Sequence, residues 1–260
     1  MNPILLLDPS SHHHNNQVEN LGDLIIRSHI EGLLAQKLKL ETLWVPYNYP
    51  FSKNDRIVVA GANVVGEYFL SPKNAVWHPS VLKVLTHTPK IVIPIGVGWH
   101  TYQHGPSWLT RLYYKRLINT SSPVSVRDSY TLNRFRHMNF NNVFLTGCPS
   151  MFNHISISTP IPKDVLFTLT NYRRDLVRDT FLLKILAKKF DKLYFFPQGA
   201  TDLSYLNLLI RDSPILLERI TVLNRSLVDL EDFLENVTVI HIGTRLHLTM
   251  HLLSKQVPSI

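Results

Sequence analysis

The feature that most constrains this chain is an alternation. Short runs rich in β-branched residues recur, each followed by a stretch whose apolar residues fall at helical spacing. Ile4 to Leu7, Thr42 to Val45, Arg56 to Ala60, Lys90 to Ile95, Pro123 to Val126 and Val143 to Thr146 read as strands. Between them Leu24, Ile25, Ile30, Leu33 and Leu34, then Trp108, Leu109, Leu112 and Leu117, then Tyr130, Leu132 and Phe135 form helical stripes. The alternation pauses at Ile155 to Pro162, an uncharged stretch with two prolines that suits a linker. It then restarts: Val165 to Leu169, a helix to Phe190, Leu193 to Phe196, a helix after Asp202, Ile220 to Leu223, a helix from Ser226, and Val237 to Ile242. Strand followed by helix followed by strand is the unit of a parallel sheet. The expectation is an α/β protein of two Rossmann-like parallel-sheet domains facing a cleft: residues 1–154, a linker at 155–163, and residues 164–260. Ligands of such sheets bind beyond the carboxyl ends of the strands.

That rule directs attention to the loops. Val237 to Ile260 reads as strand, tight loop, helix and the opening of another strand at Val257, with Arg245 and His247 where the helix begins. Free backbone N–H groups and the helix dipole favour an anion there. A guanidinium adds a planar donor for carboxylate or phosphate, and an imidazole adds a proton carrier that titrates near neutrality. The loop Thr170-Asn171-Tyr172-Arg173-Arg174 places two more guanidiniums after a strand. Gly61-Ala62-Asn63 and Gly96-Val97-Gly98-Trp99 are small-residue turns that let a ligand approach the backbone, or plain sharp turns. Asp128 and Asp202 read as helix caps, Ser226 with Asp229 as a capping box, and Cys148 as a packing residue. His247 and His251 are four apart with His241 near, but no carboxylate or Cys stands at ligand spacing, so no metal is expected.

Charge narrows the partners. The 260 residues carry a formal charge of +8, which favours anionic partners, among them a membrane surface. The bases are scattered without the basic-aromatic array that tracks a nucleic-acid backbone, so nucleic acid is not expected. The single Cys148 fits a reducing cytoplasm, and no run reaches the roughly 20 apolar residues of a membrane span. The opening MNPILLLDPSSHHH reads as a first strand and polar loop rather than a signal peptide.

Collected in order, these loops resemble the polysaccharide pyruvyl transferase family over nearly the whole chain. The matching stretches are Asn20-Leu21-Gly22-Asp23, Gly96-Val97-Gly98, Ser125-Val126-Arg127-Asp128, Gly147-Cys148-Pro149-Ser150, Gly243-Thr244-Arg245-Leu246-His247 and Val257-Pro258. The resemblance implies a GT-B-like pair of domains. It implies transfer of a pyruvyl group from phosphoenolpyruvate, as co-substrate and with no cofactor, to two hydroxyls of a sugar in exopolysaccharide biosynthesis. His247 and Arg245 fall on the family's catalytic donor site. Arg173, with Arg174 as its alternate, and Asn171, Thr244, Arg245 and Leu246 are the implied donor-binding residues. Asp23, Asn20, Asn63 and Trp99 are assigned to the acceptor, a sugar or oligosaccharide with lipid-linked forms included; for Asp23 the favoured reading is the cap of the first helix, with acceptor binding or a base role beside it. Such an enzyme would work in the cytoplasm, at the inner membrane surface if the acceptor is lipid-linked. Leu248 and Thr249 replace smaller residues and suggest a narrower donor pocket. The chain stops at Ile260 as a strand opens, which reads as a truncated C-terminal domain. A nucleotide-sugar glycosyltransferase of the same architecture and a non-catalytic sugar- or polyanion-binding relative stay open beside this reading.

Overall fold

The computed structural model describes residues 3–8, 20–37, 39, 41–45, 52, 54–61, 63–67, 91–100, 105–118, 122–152, 162–211 and 213–260. Most of the expected linker, the loop before Asn20 and Ala62 lie outside the described residues. The chain divides into two compact units, Met1–Asn15 with Ile26–Phe152 and Asn16–Ile25 with Asn153–Ile260. The sequence reading placed Asn20 and Asp23 in the first domain, whereas this division groups them with the second unit.

In the first unit β1 (Ile4–Leu7), β2 (Thr42–Val45), β3 (Arg56–Ala60) and β4 (Ile91–Ile95) form a parallel sheet in the order β2-β1-β3-β4. Leu6 lies opposite Trp44 on one side and Val58 on the other. All four residues of β1 are buried, so the strand reads as a continuous apolar run rather than an alternation. One face packs Leu5, Leu7, Ile57 and Val59 against Tyr113, Tyr114 and Phe135; the other packs Ile4, Leu6, Val58 and Ala60 against Ile30 and Leu34. β5 (Val124–Val126) and β6 (Val143–Leu145) form a parallel pair, joined toward β4 by the bridge from Val97 to Val126. The helices are α1 (Leu21–Glu31), continued by a π-helical segment Gly32–Lys37, α2 (Trp108–Leu117) and α3 (Ser129–His137).

α2 buries a different face from the one its aliphatic residues suggested. Thr110, Tyr113, Tyr114 and Leu117 face inward, and Trp108 and Leu112 are exposed. Polar groups decide this. Tyr114 Oη accepts from Gly66 N at 3.0 Å, and Thr110 Oγ1 donates to the buried Glu67 carboxylate at 2.6 Å.

The second unit is a parallel sheet of β7 (Val165–Thr168), β8 (Leu193–Phe195), β9 (Ile220–Val222) and β10 (Ile240–Gly243) in the order β10-β7-β8-β9. Its helices are α4 (Leu176–Lys189), α5 (Asp202–Ile210), α6 (Pro214–Arg219), α7 (Leu227–Asn236) and α8 (Leu246–Ser254). Val165, Phe167, Leu193 and Phe195 pack on Leu183, Leu186, Tyr205 and Leu206 of α4 and α5. Leu166 and Phe196 pack on Leu230, Leu248 and Leu252 of α7 and α8, with Leu21 and Ile25 of α1. Helices therefore cover both faces of the sheet. α6 was not expected, and β10 begins three residues later than the sequence suggested because Val237 N still donates to Phe233 O, capping α7. The strand expected at Val257 lies beside β10, with His241 N donating to Pro258 O at 2.7 Å and Ile260 N to His241 O at 2.9 Å. Two Rossmann-like parallel-sheet units in one chain are the composition of a GT-B-like fold. No described helix is long and apolar enough to cross a membrane.

Candidate active site

In the second unit β7, β8 and β10 run parallel, so their carboxyl ends and the loops that leave them lie along one edge. Arg245 follows β10 and is the N-cap residue of α8. It is 4% exposed, and its Nη2 donates to both carboxylate oxygens of Asp202, which is fully buried. Asp202 opens α5 and also accepts from Gly199 N at 2.7 Å and Asn171 N at 3.2 Å. One carboxylate thus ties together the loops after all three strands. Arg245 Nε reaches Leu169 O at 3.4 Å, and its Cζ lies 5.0 Å from the centre of the Tyr172 ring, close enough for a cation–π contact. Glycine at position 199 is what makes room: a Cβ there would stand 2.6 Å from Arg245 Nη2.

His247 is half-buried in the first turn of α8. Its Nδ1 lies against Gly22, 2.8 Å from where a Cβ would stand; Gln198 Nε2 and Asn20 Oδ1 approach the same point at 3.0 and 3.1 Å. Asn20 caps α1 by accepting from Gly22 N at 3.1 Å, and the same oxygen accepts from Gln198 Nε2 at 2.7 Å. Leu21 N donates to Gln198 O at 3.1 Å. The Asn20-Leu21-Gly22 segment is therefore stitched to the loop after β8 within the second unit, beside the imidazole. Gln198 is 2% exposed, and its Oε1 has no hydrogen-bond partner among the described residues.

Arg245, His247, Asn171, Thr244 and Asn20 thus come to one edge of the second sheet. Thr244 and Thr170 meet through their hydroxyls at 2.7 Å, Leu246 is exposed at the start of α8, and Arg173 and Arg174 are exposed on the 3-10 turn Asn171–Arg173 and just after it. Asp23 sits in the first turn of α1 and is buried, three residues after Asn20, which caps the helix. Leu248 does not narrow this site, because its side chain is fully buried in the core with Phe196 and Leu252. Asp202 was read only as a cap. The signal for more was the glycine three residues before an Asp that opens a helix after a strand.

In the first unit Trp99 is not available to stack on a sugar: it is 4% exposed and packs with Tyr114 and Val97 in the core. Asn63 stands with Arg127 over Gly98, where any side chain would collide with both. Gly96 has φ +60°, donates its N–H to Ser125 Oγ at 2.8 Å, and would place a Cβ 2.5 Å from the Pro149 ring, so its smallness serves packing. Asp128 caps α3 as expected, accepting from Thr131 N at 2.7 Å. Among the described residues no group of three His, Cys, Asp or Glu side chains could hold a metal ion.

A parallel α/β sheet whose carboxyl-end loops converge on a guanidinium and an imidazole is a scaffold for chemistry on an anionic group. The family model of the polysaccharide pyruvyl transferases matches residues 20–251, and the chain belongs to that family. A comparison with curated proteins finds no match. Similar solved structures include a mutant of S. aureus TarM in complex with Fondaparinux, alpha-GlcNAc-glycerol and UDP, with 14% identity, a TM-score of 0.45, and 80% of this chain and 41% of that one covered. They also include the apo form of the lipopolysaccharide outer core galactosyltransferase WaaB, with 13% identity, a TM-score of 0.46, and 100% of this chain and 80% of that one covered. The chain spans about two fifths of the TarM chain it matches, at 41%.

Proposed function

We propose that this protein transfers the pyruvyl group of phosphoenolpyruvate to two hydroxyls of one sugar, forming a cyclic ketal and releasing phosphate. The observation that carries this reading is the Arg245–Asp202 lock beside His247, in a chain of this family. Phosphoenolpyruvate carries a carboxylate and a phosphate, and an N-terminal helix turn with a fixed guanidinium suits either.

The buried pair refines the role of Arg245. Its charge is compensated by Asp202, and Nε and Nη2 are occupied by protein acceptors. In this reading Nη1 is the donor it offers the substrate, while the net positive charge that attracts the donor comes from the exposed Arg173 or Arg174. Asn171, Thr244 and Leu246 complete the donor side. His247 delivers a proton to the methylene carbon, which becomes the ketal methyl group. The neighbouring carbon then accepts the first sugar hydroxyl, phosphate departs, and the second hydroxyl closes the ring. The two protons lost by the sugar account for the one gained by carbon and the one carried by phosphate. On the second unit Asn20, beside the imidazole, is assigned to the acceptor, a sugar or oligosaccharide of a polysaccharide precursor, lipid-linked forms included, handled at a membrane surface.

The test is phosphate release from phosphoenolpyruvate with a panel of sugar acceptors. Arg245→Ala is expected to weaken donor binding by about 1.5–3 kcal/mol, the worth of a charged hydrogen bond. Unchanged donor affinity in that variant would remove Arg245 from the site.

A further inference from the structure

We propose that α4 docks this protein on an anionic lipid bilayer. The inward face of the helix is ordinary, with Asp179, Leu183 and Leu186 buried. Its outward face is not. Val177, Phe181 and Ile185 follow one another at one-turn spacing and are 83, 64 and 40% exposed. A solvated helix face is expected to be polar, and an apolar stripe rimmed by polar groups marks an interaction surface.

The residues interleaved with that stripe indicate what covers it. Arg178, Lys184, Lys188 and Lys189 are all exposed, and Arg173 and Arg174 stand just ahead of the helix. The acids of the segment do not offset them on this face. Asp179 is buried, held by Tyr205 Oη at 2.7 Å and Arg178 Nε at 2.8 Å, and Asp175 is the N-cap, accepting from Arg178 N at 3.0 Å. Arg178 is therefore paired within the protein, and the three lysines carry the outward charge. Apolar side chains reaching the acyl boundary, with ammonium groups among lipid phosphates, describe a helix lying in a bilayer interface. A protein partner is the weaker match, because protein interfaces are depleted in lysine. The net charge of +8 acts in the same sense.

The inference deepens the membrane-surface setting proposed above but needs neither phosphoenolpyruvate nor an acceptor to be tested. Purified protein is sedimented with vesicles of phosphatidylcholine alone and of phosphatidylcholine mixed equally with phosphatidylglycerol. Binding is expected to the mixed vesicles only, and to be released at about 1 M NaCl, where charges are screened within about 3 Å. Phe181→Ser and the double variant Lys184→Glu with Lys188→Glu should each weaken it about tenfold or more with unchanged thermal melting. These positions are solvent-facing, so folding is not at risk. Wild-type protein left in the supernatant, equal binding to both vesicle types, or variants that bind like wild type would overturn the proposal. So would a dimer in lipid-free solution that Phe181→Ser dissolves, since a second copy of the chain would then be the occupant.

Discussion

A single buried carboxylate sets the geometry of the candidate site. Asp202 accepts from three loops, and among the described residues it is the carboxylate paired with Arg245. Asp202→Ala should therefore destabilise the protein by about 3–5 kcal/mol, the usual cost of leaving a buried charge without its partner; urea unfolding reads this directly. Asp202→Asn keeps the shape and leaves the Arg245 charge uncompensated, and should lower the Michaelis constant for the anionic donor. A second residue gives the fold a pH limit. His241 is fully buried in β10 with Nε2 3.2 Å from Thr168 Oγ1, and burial lowers its pKa from 6.5 to about 4. Between those values the unfolded chain binds a proton that the native protein refuses, so this histidine removes stability as pH falls through the window. The loss is about 3 kcal/mol for a shift of this size. Unfolding measured near neutrality and near pH 4 should show a smaller difference in His241→Gln than in wild type.

At the scale of elements, the strands were legible because burial on both faces makes short uninterrupted apolar runs, as in β1, β3 and β7. α6 was not, because six residues starting at Pro214 are too few to show a period. The buried face of α2 was missed because it is made by tyrosines and a threonine whose hydroxyls find partners from Gly66 and Glu67. Arg245 and His247 were legible from their place after a strand. The Asp202 contact was not, since it joins residues 43 positions apart and depends on how three loops fold back. Nor could the sequence show that Asn20-Leu21-Gly22 packs against the end of β8. That contact makes a sharp prediction. Gly22→Ala would normally favour a helix by up to about 1 kcal/mol. Here the added methyl meets His247 Nδ1, so turnover should fall at least about tenfold while the melting temperature holds. Equal turnover in Gly22→Ala would mean that this segment does not position the imidazole.

At the scale of the molecule, two α/β units each present loops at the carboxyl ends of parallel strands, but they differ in what those loops carry. The second unit gathers Arg245, His247, Asp202 and Gln198 with Asn20. The first spends its expected sugar platform, Trp99, on its own core and leaves Asn63 and Arg127 over Gly98. The proposed donor side therefore rests on the second unit. The measurement that tests it most directly is phosphate release from phosphoenolpyruvate by wild type and His247→Ala, with product mass followed alongside. The account predicts release that depends on a sugar acceptor, a product carrying a pyruvyl ketal, and a loss of at least about 100-fold in the variant. Release at the wild-type rate in His247→Ala, or a nucleoside diphosphate freed from a sugar nucleotide in place of phosphate from phosphoenolpyruvate, would contradict it.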